Sequence, residues 1–173
     1  MPYTDVDGRM TVPDQSILEL YGQLLFEGLV PIVFCQGSVK SPGDLLMIFK
    51  KPDNISVFVI DEDYTIGGFA FLNGVSRNSA YVHFCFLKRM WGKKSTEAGG
   101  ALLNYWFSIP GRSGPLFDVL LGIIPETNRR AIRYIKRLGW TTLGVIPEIC
   151  YDAYRDQNMG GLVSYLARED HGR

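Results

Sequence analysis

Residues 90–107 read MWGKKSTEAGGALLNYWF and contain the most informative structural pattern of the chain. A glycine-containing turn with two lysines leads directly into a helix that opens with Ser95 and Thr96. Apolar spacings of three and four then predict one buried helix face, formed by Ala98, Ala101, Leu102 and Tyr105. The preceding apolar run, YVHFCF at residues 81–86, predicts a strand.

This order of strand, basic turn and helix start suits a bound anion such as phosphate. The first amides of a helix have no partner within it, and the helix dipole favours negative charge at this end. Lys93 and Lys94 add two positive charges to the turn. The stretch therefore predicts a phosphate-binding site at the start of the helix.

The composition is that of an ordinary globular domain. The chain has 173 residues, of which 46% are hydrophobic and 21% charged, and we expect one domain spanning residues 1–173. The formal net charge is zero, which argues against general binding to nucleic acid or to an anionic membrane. The apolar stretch at residues 24–35 is too short and too interrupted to span a bilayer.

The cysteines and histidines give no pattern of metal ligands. Cys35, Cys85 and Cys150 lie far apart in the sequence, and the chain has two histidines. No metal site is therefore expected. A sparse, odd set of thiols fits a reducing compartment, and the polar start of the chain is unlike a signal peptide, so a cytoplasmic location is expected.

The rest of the chain alternates helix-like and strand-like segments. Helices are predicted at residues 13–26, with Asp14, Gln15 and Ser16 as cap candidates, at residues 42–50, and from a cap at Thr127 or Asn128 to Leu138. Strands are predicted at residues 56–60, 65–72, 81–86, 117–124, 140–146 and 162–167, with a turn near residues 73–74 or 77–79. This order predicts an α/β or α+β fold with a mixed sheet.

Residues 117–140, FDVLLGIIPETNRRAIRYIKRLGW, repeat the strand-to-helix order with a basic helix. Its predicted buried face comprises Ala131, Ile132, Ile135 and Leu138, and its basic residues are Arg129, Arg130, Arg133, Lys136 and Arg137. The basic side is interpreted as a solvated face, as a phosphate site near the helix start, or as a nucleic-acid helix. The zero net charge disfavours the last alternative.

Taken together, the two stretches resemble the GNAT superfamily, the acyl-coenzyme A-dependent N-acyltransferases. WGKKSTEA at residues 91–98, followed by ALLNYWF, is similar to the WGKGYATEA…LL.YAF pattern of the branch that includes ribosomal-protein N-terminal acetyltransferases. NRRAIRYIKRLGW at residues 128–140 is similar to that branch's N..SI..LEKLGF segment, and SYLARED at residues 164–170 to its final Y.L.RED strand. The resemblance covers roughly residues 56–170.

The resemblance implies a single domain with a mixed, mostly antiparallel sheet whose fourth and fifth strands splay apart and admit acetyl-coenzyme A (acetyl-CoA). It implies acetyl transfer to a primary amine of a protein N-terminus, a lysine or a small molecule. The coenzyme diphosphate is expected at the turn and helix start. The implied coenzyme contacts are Phe86, Leu87, Trp91, Gly92, Lys93, Lys94, Ser95, Thr96, Asn128 and Arg130.

The turn departs from the superfamily pattern Gln/Arg-x-x-Gly-x-Gly/Ala. This chain has RMWGKK at residues 89–94, with lysine in the last position, and is one residue shorter than WGKGYATEA. Lys94 would crowd the diphosphate if the backbone must come close there, or its ammonium would replace lost amide contacts with a charge. We favour the second alternative and expect coenzyme binding to be retained.

The catalytic groups implied by the resemblance are a main-chain amide and a base. The amide of Phe86 is expected to polarise the acyl carbonyl. His83 is the best candidate base because an imidazole titrates near neutral pH, and the alternative is a histidine packed between sheet and helix. Cys85 shares the side of the strand on which His83 lies and is expected in the core.

Several helix positions have two interpretations. The tyrosine that often serves the superfamily as an acid corresponds to Ile135, and Tyr134, on another helix face, is not expected to take its role. Asn128 is expected either to cap its helix or to contact the pantetheine arm of the coenzyme. Gly99 and Gly100 each cost a helix about 1 kcal/mol, which indicates close packing or simply a tolerated cost.

Two functions remain open from the sequence. The first is an acetyl-CoA-dependent N-acetyltransferase, and the second is a non-catalytic, CoA-binding or structural domain of the same fold, which the altered turn and the missing tyrosine would fit. The acceptor is expected beside loops from the N-terminal helices, the turn at residues 73–78 and the segment at residues 147–161. Acidic residues there, Glu148, Asp152 and Asp156, would attract a cationic amine or simply lie in a solvated loop.

Overall fold

The computed structural model describes residues 1–7 and 9–172, and its centre is a six-stranded sheet. The strands are β1 (Asp5–Val6), β2 (Arg9–Met10), β3 (Ile55–Ile60), β4 (Ile66–Ser76), β5 (Ser79–Phe86), β6 (Val119–Pro125), β7 (Thr141–Asp152) and β8 (Gln157–Ala167). The α-helices are α1 (Asp14–Phe26), α2 (Val30–Val33), α3 (Pro42–Lys50), α4 (Lys93–Ser108) and α5 (Arg129–Arg137). Within the described residues, every helix is too short or too polar to cross a membrane.

The sheet parts in its middle. Its strand order is β3-β4-β5-β6-β8-β7, and every neighbouring pair is antiparallel except β5 and β6. The parallel pair is joined only where residues 79–81 lie beside residues 119–121. Beyond these positions β5 runs on to Phe86 and β6 to Pro125, and their paired register does not continue within the described chain. The mixed, mostly antiparallel sheet with splayed strands is therefore confirmed.

Helices cover both faces of the sheet. On one face, Trp106 of α4 and Ile135 of α5 share an apolar cluster with Leu120 of β6. On the other face, Leu24 of α1 and Phe49 of α3 share a second cluster with strand residues. Because successive residues of a strand point to opposite faces, β5 contributes alternate side chains to the two clusters.

Helix α4 buries a different face from the predicted one. Its buried residues are Ser95, Gly99, Leu102, Leu103, Trp106 and Phe107. Of the predicted positions, Leu102 is buried, Ala98 and Tyr105 are half-buried, and Ala101 is exposed. The two aromatic rings carry far more apolar area than alanine, so burying them decides the rotation of the helix.

The chain after α5 forms a long hairpin, whereas the sequence predicts two shorter strands and a loop. β7 and β8 pair from Thr141 beside Tyr165 to Asp152 beside Gln157, with register shifts along β7. Gly161 lies in this hairpin because a Cβ there would come within 2.5 Å of the Ile149 side chain. Its glycine thus permits close packing between strands and does not mark a turn.

Smaller differences occur at the first helices and at the turn between β4 and β5. Pro13 is the N-cap of α1, and no side chain among the described residues caps this helix, so the predicted capping by Asp14, Gln15 or Ser16 is wrong. The short helix α2 was not predicted. The turn between β4 and β5 lies at Arg77, whose φ of 44° is left-handed, rather than at residues 73–74.

Candidate active site

The gap between β5 and β6 exposes backbone groups of β5. The Leu87 amide donates to the Gly67 carbonyl at 2.9 Å, on the side of β5 that pairs with β4. Backbone groups of an antiparallel strand alternate in direction, so those of Phe84 and Phe86 point into the gap. Leu87 therefore does not face the gap through its amide, and its side chain is fully buried in the cluster beneath α1 and α3.

One cavity, of about 240 Å³, lies between the gap and the helices α4 and α5. The rings of Phe84 and Phe86 form part of its wall and pack against the Tyr134 ring, with centroids 4.9 and 5.6 Å away. Three arginines of α5 also line it, namely Arg130, Arg133 and Arg137. We call this space the coenzyme cavity.

The start of α4 opens onto the coenzyme cavity with unused amides. Gly92 is its N-cap, and a φ of 98° explains the glycine. The hydroxyls of Ser95 and Thr96 donate to the Gly92 carbonyl at 2.9 and 3.1 Å. Among the described residues no side chain caps this helix, so the amides of its first turn keep their capacity for an anion.

The two lysines of the turn point elsewhere. Lys94 binds Asp61 at 3.0 Å and Glu62 at 3.4 Å, in the turn between β3 and β4, and Lys93 lies 3.4 Å from Glu97. The Glu62 amide and the Lys94 ammonium lower the pKa of Asp61. Lys94 thus fastens the start of α4 to a neighbouring turn, and the structure does not direct it toward the coenzyme cavity.

Trp91 stands at the mouth of the gap. Its indole Nε1 donates to the Phe86 carbonyl at 2.9 Å, and the Arg130 guanidinium lies 3.3 Å from the centre of its ring. Stacking of this kind holds Arg130 in place beside the helix start. The structure therefore brings together three of the predicted contacts, Phe86, Trp91 and Arg130.

Tyr134 joins the two helices of the site. Its hydroxyl donates to the Ser95 carbonyl at 2.8 Å, and burial raises its pKa, so it stays protonated. A Cβ on Gly99 would lie 2.0 Å from this hydroxyl, so Gly99 leaves room for the tyrosine. Ile135 is buried in the apolar core. The sequence prediction missed this contact of Tyr134, and Gly99 is its sequence signal.

A second cavity, of about 420 Å³, lies on the side of the gap that faces α2 and β7. It shares Phe84, Asn128 and Ala131 with the coenzyme cavity, so the two spaces adjoin at the gap. His83 and Asn73 contribute polar groups to its wall. We call it the acceptor cavity.

His83 lines the acceptor cavity and is exposed to solvent. Its ring stacks on Phe71 with centroids 4.6 Å apart, and its Nε2 lies 3.1 Å from Oδ1 of Asn73. With the Asn73 carboxamide oriented in this way, Nε2 carries the proton and Nδ1 keeps its lone pair. Desolvation lowers the pKa of His83, so the ring is neutral at pH 7 and able to accept a proton.

Cys85 and Asn128 have defined structural surroundings. Cys85 is buried, as expected, and burial raises the pKa of its thiol far above the usual range. Asn128 is the N-cap of α5, since its Oδ1 accepts from the Ala131 amide at 3.1 Å. The capping role expected for Asn128 is thus confirmed, and the residue also borders both cavities.

The acidic residues considered for the acceptor do not line its cavity. Asp152 accepts hydrogen bonds from the amides of Tyr154 and Arg155 at 2.9 and 3.2 Å. It lines a third cavity, which adjoins the two described above. Asp156 accepts from the Tyr151 hydroxyl. Glu148 has a left-handed φ of 58° in the irregular part of β7. These carboxylates have local structural partners or positions outside the cavity wall.

Comparison with solved structures identifies the fold. Spermidine N-acetyltransferase from Vibrio cholerae, in complex with CoA and spermine, is 13% identical and has a TM-score of 0.74, over 92% of this chain and 94% of that one. The microcin C7 self-immunity acetyltransferase, in complex with acetyl-CoA and AMP, is 16% identical with a TM-score of 0.69, over 91% and 90%. Ribosomal-protein-S5-alanine acetyltransferase from Vibrio fischeri is 11% identical with a TM-score of 0.70, over 94% and 93%.

These neighbours are acetyltransferases, and the chain has the fold of the GNAT superfamily that its sequence resembles. No protein-family model matches the sequence, and no curated protein matches it significantly. At sequence identities of 11–16%, these similarities establish the fold, and the activity must be argued from the residues of the site.

Proposed function

We propose that the protein is an acetyl-CoA-dependent N-acetyltransferase that acts on a primary amine. The observation that carries this proposal is the pair of cavities meeting in the gap between β5 and β6. One cavity has free helix amides and arginines, and the other has a neutral histidine. Acyl transfer between two substrates needs such a meeting point. The named activities of the structural neighbours, and the CoA or acetyl-CoA bound in two of them, support the same conclusion.

The residues of the coenzyme cavity fit the chemistry of CoA. The amides at the start of α4 suit the diphosphate, and the arginines of α5 add charge for its phosphates. The backbone amides of Phe84 and Phe86 that face the gap would hydrogen-bond to the carbonyl groups of the pantetheine arm. Four of the predicted contacts do not line the coenzyme cavity and do not support this binding, namely Leu87, Lys93, Lys94 and Thr96.

Bound acetyl-CoA would supply the thioester. The amine nitrogen would form a C–N bond to the acyl carbon, the C–S bond would break, and CoA would leave as a thiolate that regains a proton from solvent. An amide of β5 that points into the gap, at Phe84 or Phe86, would hydrogen-bond the acyl oxygen, a contribution of about 3 kcal/mol in known cases. His83 would take the proton that the attacking amine loses. Phe84 joins Phe86 as a candidate because it lies where the two cavities adjoin.

A second candidate function is a non-catalytic domain of this fold. Two observations favour it. The Trp91 indole donates a hydrogen bond to the Phe86 carbonyl, which is then not free for a coenzyme. Lys94 forms an ion pair with Asp61 and does not face the expected diphosphate position. Such a protein would bind CoA or no coenzyme and transfer nothing.

Calorimetric titration of acetyl-CoA, followed by release of free thiol in the presence of amines, separates the two functions. Micromolar binding is expected. Arg133→Ala should weaken it about tenfold, since a hydrogen bond to a charged group contributes about 1.5–3 kcal/mol. Lys136→Ala removes an equal charge from the same helix outside the cavity wall and should leave affinity within about twofold.

The outcomes are distinct. Absence of binding at millimolar acetyl-CoA would overturn the coenzyme site and the proposed activity together. Binding without thiol release for any primary amine would favour the non-catalytic domain. Equal weakening by the two substitutions would show that general charge, and not the cavity, attracts the coenzyme.

A further inference from the structure

The acceptor cavity carries an inference about substrate class that rests on the proposed function. We propose that the amine is a small primary monoamine with an apolar body, aromatic or aliphatic, and that diamines and polyamines are excluded. The basis is a cavity that is lined mostly by apolar side chains and, among the described residues, by no charged one.

Aromatic and aliphatic side chains form most of this wall. They include Phe34, Phe71, Tyr81, Ile123, Ile124 and Ile149. The volume of about 420 Å³ lies in the range of pockets that enclose a small organic molecule. Such a surface gains free energy by taking an apolar group out of water.

The polar groups in the wall are neutral. Gln36, Ser38, Asn73 and His83 supply amides, a hydroxyl and an imidazole, and no Asp, Glu, Lys or Arg lines the cavity in the described part of the chain. His83 and Asn73 already bond to each other. One amine nitrogen therefore finds hydrogen-bond partners and a proton acceptor, and a second ammonium finds no opposite charge.

A second ammonium is the feature that the cavity would reject. Alkyl amines are protonated at pH 7, and burying an ammonium without a carboxylate costs the hydration of its charge. A monoamine loses its only positive charge when its reacting nitrogen is deprotonated for attack. A diamine must also bring a remote positive charge into the apolar wall, which lowers its affinity.

The nearest carboxylates do not relieve this cost. Asp152 accepts two backbone amides of its own turn and lines the third cavity. Glu126 accepts from the Gly160 amide at 3.2 Å and is not part of the cavity wall. Neither carboxylate belongs to the wall of the acceptor cavity.

A pair of nearly isosteric amines tests the inference. Hexylamine and 1,5-diaminopentane have the same number of heavy atoms and differ by a terminal methyl group against a terminal ammonium. With acetyl-CoA as donor, we expect kcat/KM for hexylamine to exceed that for the diamine at least 100-fold, and 2-phenylethylamine to resemble hexylamine. Equal or better turnover of the diamine, or of spermidine, would overturn the inference.

Binding separates failure of the inference from failure of the proposed function. The two amines are titrated into the protein with and without CoA, and hexylamine should bind more tightly in at least one of these states even if no transfer occurs. Lack of acetyl-CoA binding would defeat the proposed function, while the amine affinities would still decide the inference. Binding of neither amine in either state would overturn it.

A substitution in the wall gives the reciprocal test. Ile149→Asp adds a carboxylate to the cavity at a side chain that is 40% exposed, so folding should tolerate it. We expect it to raise the ratio of diamine to hexylamine kcat/KM at least tenfold. Val145→Asp, on the same strand and 49% exposed but outside the wall, is the control and should leave the ratio unchanged. Equal changes in both variants would contradict the assignment of this cavity to the acceptor.

Discussion

Gly99 is the point at which α4 comes closest to the ring of Tyr134. Gly99→Ala would place a methyl group 2.0 Å from the Tyr134 hydroxyl and break its bond to Ser95. Overpacking and a lost hydrogen bond outweigh the better helix propensity of alanine, so we expect a loss of about 2 kcal/mol in the free energy of unfolding. Urea denaturation measures this change.

Gly100 provides the matched control. A Cβ there meets no atom within 4 Å, so Gly100→Ala should raise the free energy of unfolding by up to about 1 kcal/mol. If both substitutions were stabilising, the contact between Tyr134 and α4 would be absent in solution.

His83 determines a pH dependence of the proposed reaction. Desolvation lowers its pKa below 6.5, so the neutral, proton-accepting form should persist into mildly acidic solution. We expect kcat/KM to fall on the acid side only below pH 6.5, and His83→Ala to reduce the rate about 100-fold and to remove this acid limb. A variant that kept both the rate and the limb would show that another group, or water alone, accepts the proton.

Lys94 illustrates what sequence leaves open at a single residue. Its place beside a glycine turn indicates a diphosphate contact, but its partner Asp61 lies 33 positions earlier in the chain. A lysine side chain is long and flexible, so the nearest negative charge in the folded protein determines where its ammonium lies. The stacking of Arg130 on Trp91 is also a contact between residues that are distant in the sequence. Both residues were predicted at the site, but their stacking was not.

Among the secondary-structure elements, α5 has Asn128 as its N-cap, a residue for which capping of the helix and contact with the coenzyme can be tested separately. Asn128→Ala removes the N-cap of α5 and should cost about 1 kcal/mol of stability, whereas Asn128→Asp keeps an accepting oxygen and should cost little. Ser41→Ala removes the N-cap of α3, where the Ser41 hydroxyl accepts from the Asp44 amide, and should cost about the same. Thermal or urea unfolding of the three variants checks these values.

Acetyl-CoA affinity then completes the comparison. If Asn128 contacts the coenzyme, Asn128→Ala weakens binding and Ser41→Ala, far from the cavities, does not. Equal affinity in the two variants would confine Asn128 to capping.

Elements with local signals were predictable, and those shaped by distant contacts were not. The helix Pro42–Lys50 is predicted with its observed bounds, and Gly139, with a φ of 81°, stops α5 as expected. The β7–β8 hairpin escaped prediction because Gly160 and Gly161 are typical of loops. Their actual role is to let side chains of β7 and Glu126 approach the β8 backbone. The gap between β5 and β6 has no local signal and followed from the resemblance alone.

At the scale of the whole molecule, stability should fall in acid. Hydrogen bonds and cations lower the pKa values of Asp44, Asp61 and Asp118 below 3.8 in the folded state. The stabilisation is complete above that value and is lost as the pH falls through the folded pKa values. Desolvation also lowers the pKa of His83, so this side chain binds a proton more weakly in the folded than in the unfolded state. Its protonation below pH 6.5 therefore destabilises the fold as well, to a smaller degree. Urea midpoints at pH 7, 5 and 3 should therefore decrease slightly and then steeply, and a midpoint unchanged at pH 3 would contradict this prediction.

The position of Trp91 has an optical consequence. The other two tryptophans, Trp106 and Trp140, are 1% and 7% exposed, whereas Trp91 is 36% exposed and stands at the mouth of the gap. Its indole therefore supplies the red-shifted part of the intrinsic fluorescence. A ligand that enters the gap should change this emission, while the signal of the two buried indoles stays constant. The spectrum of Trp91→Phe provides the blank, so the protein can report occupancy of its own site without a label.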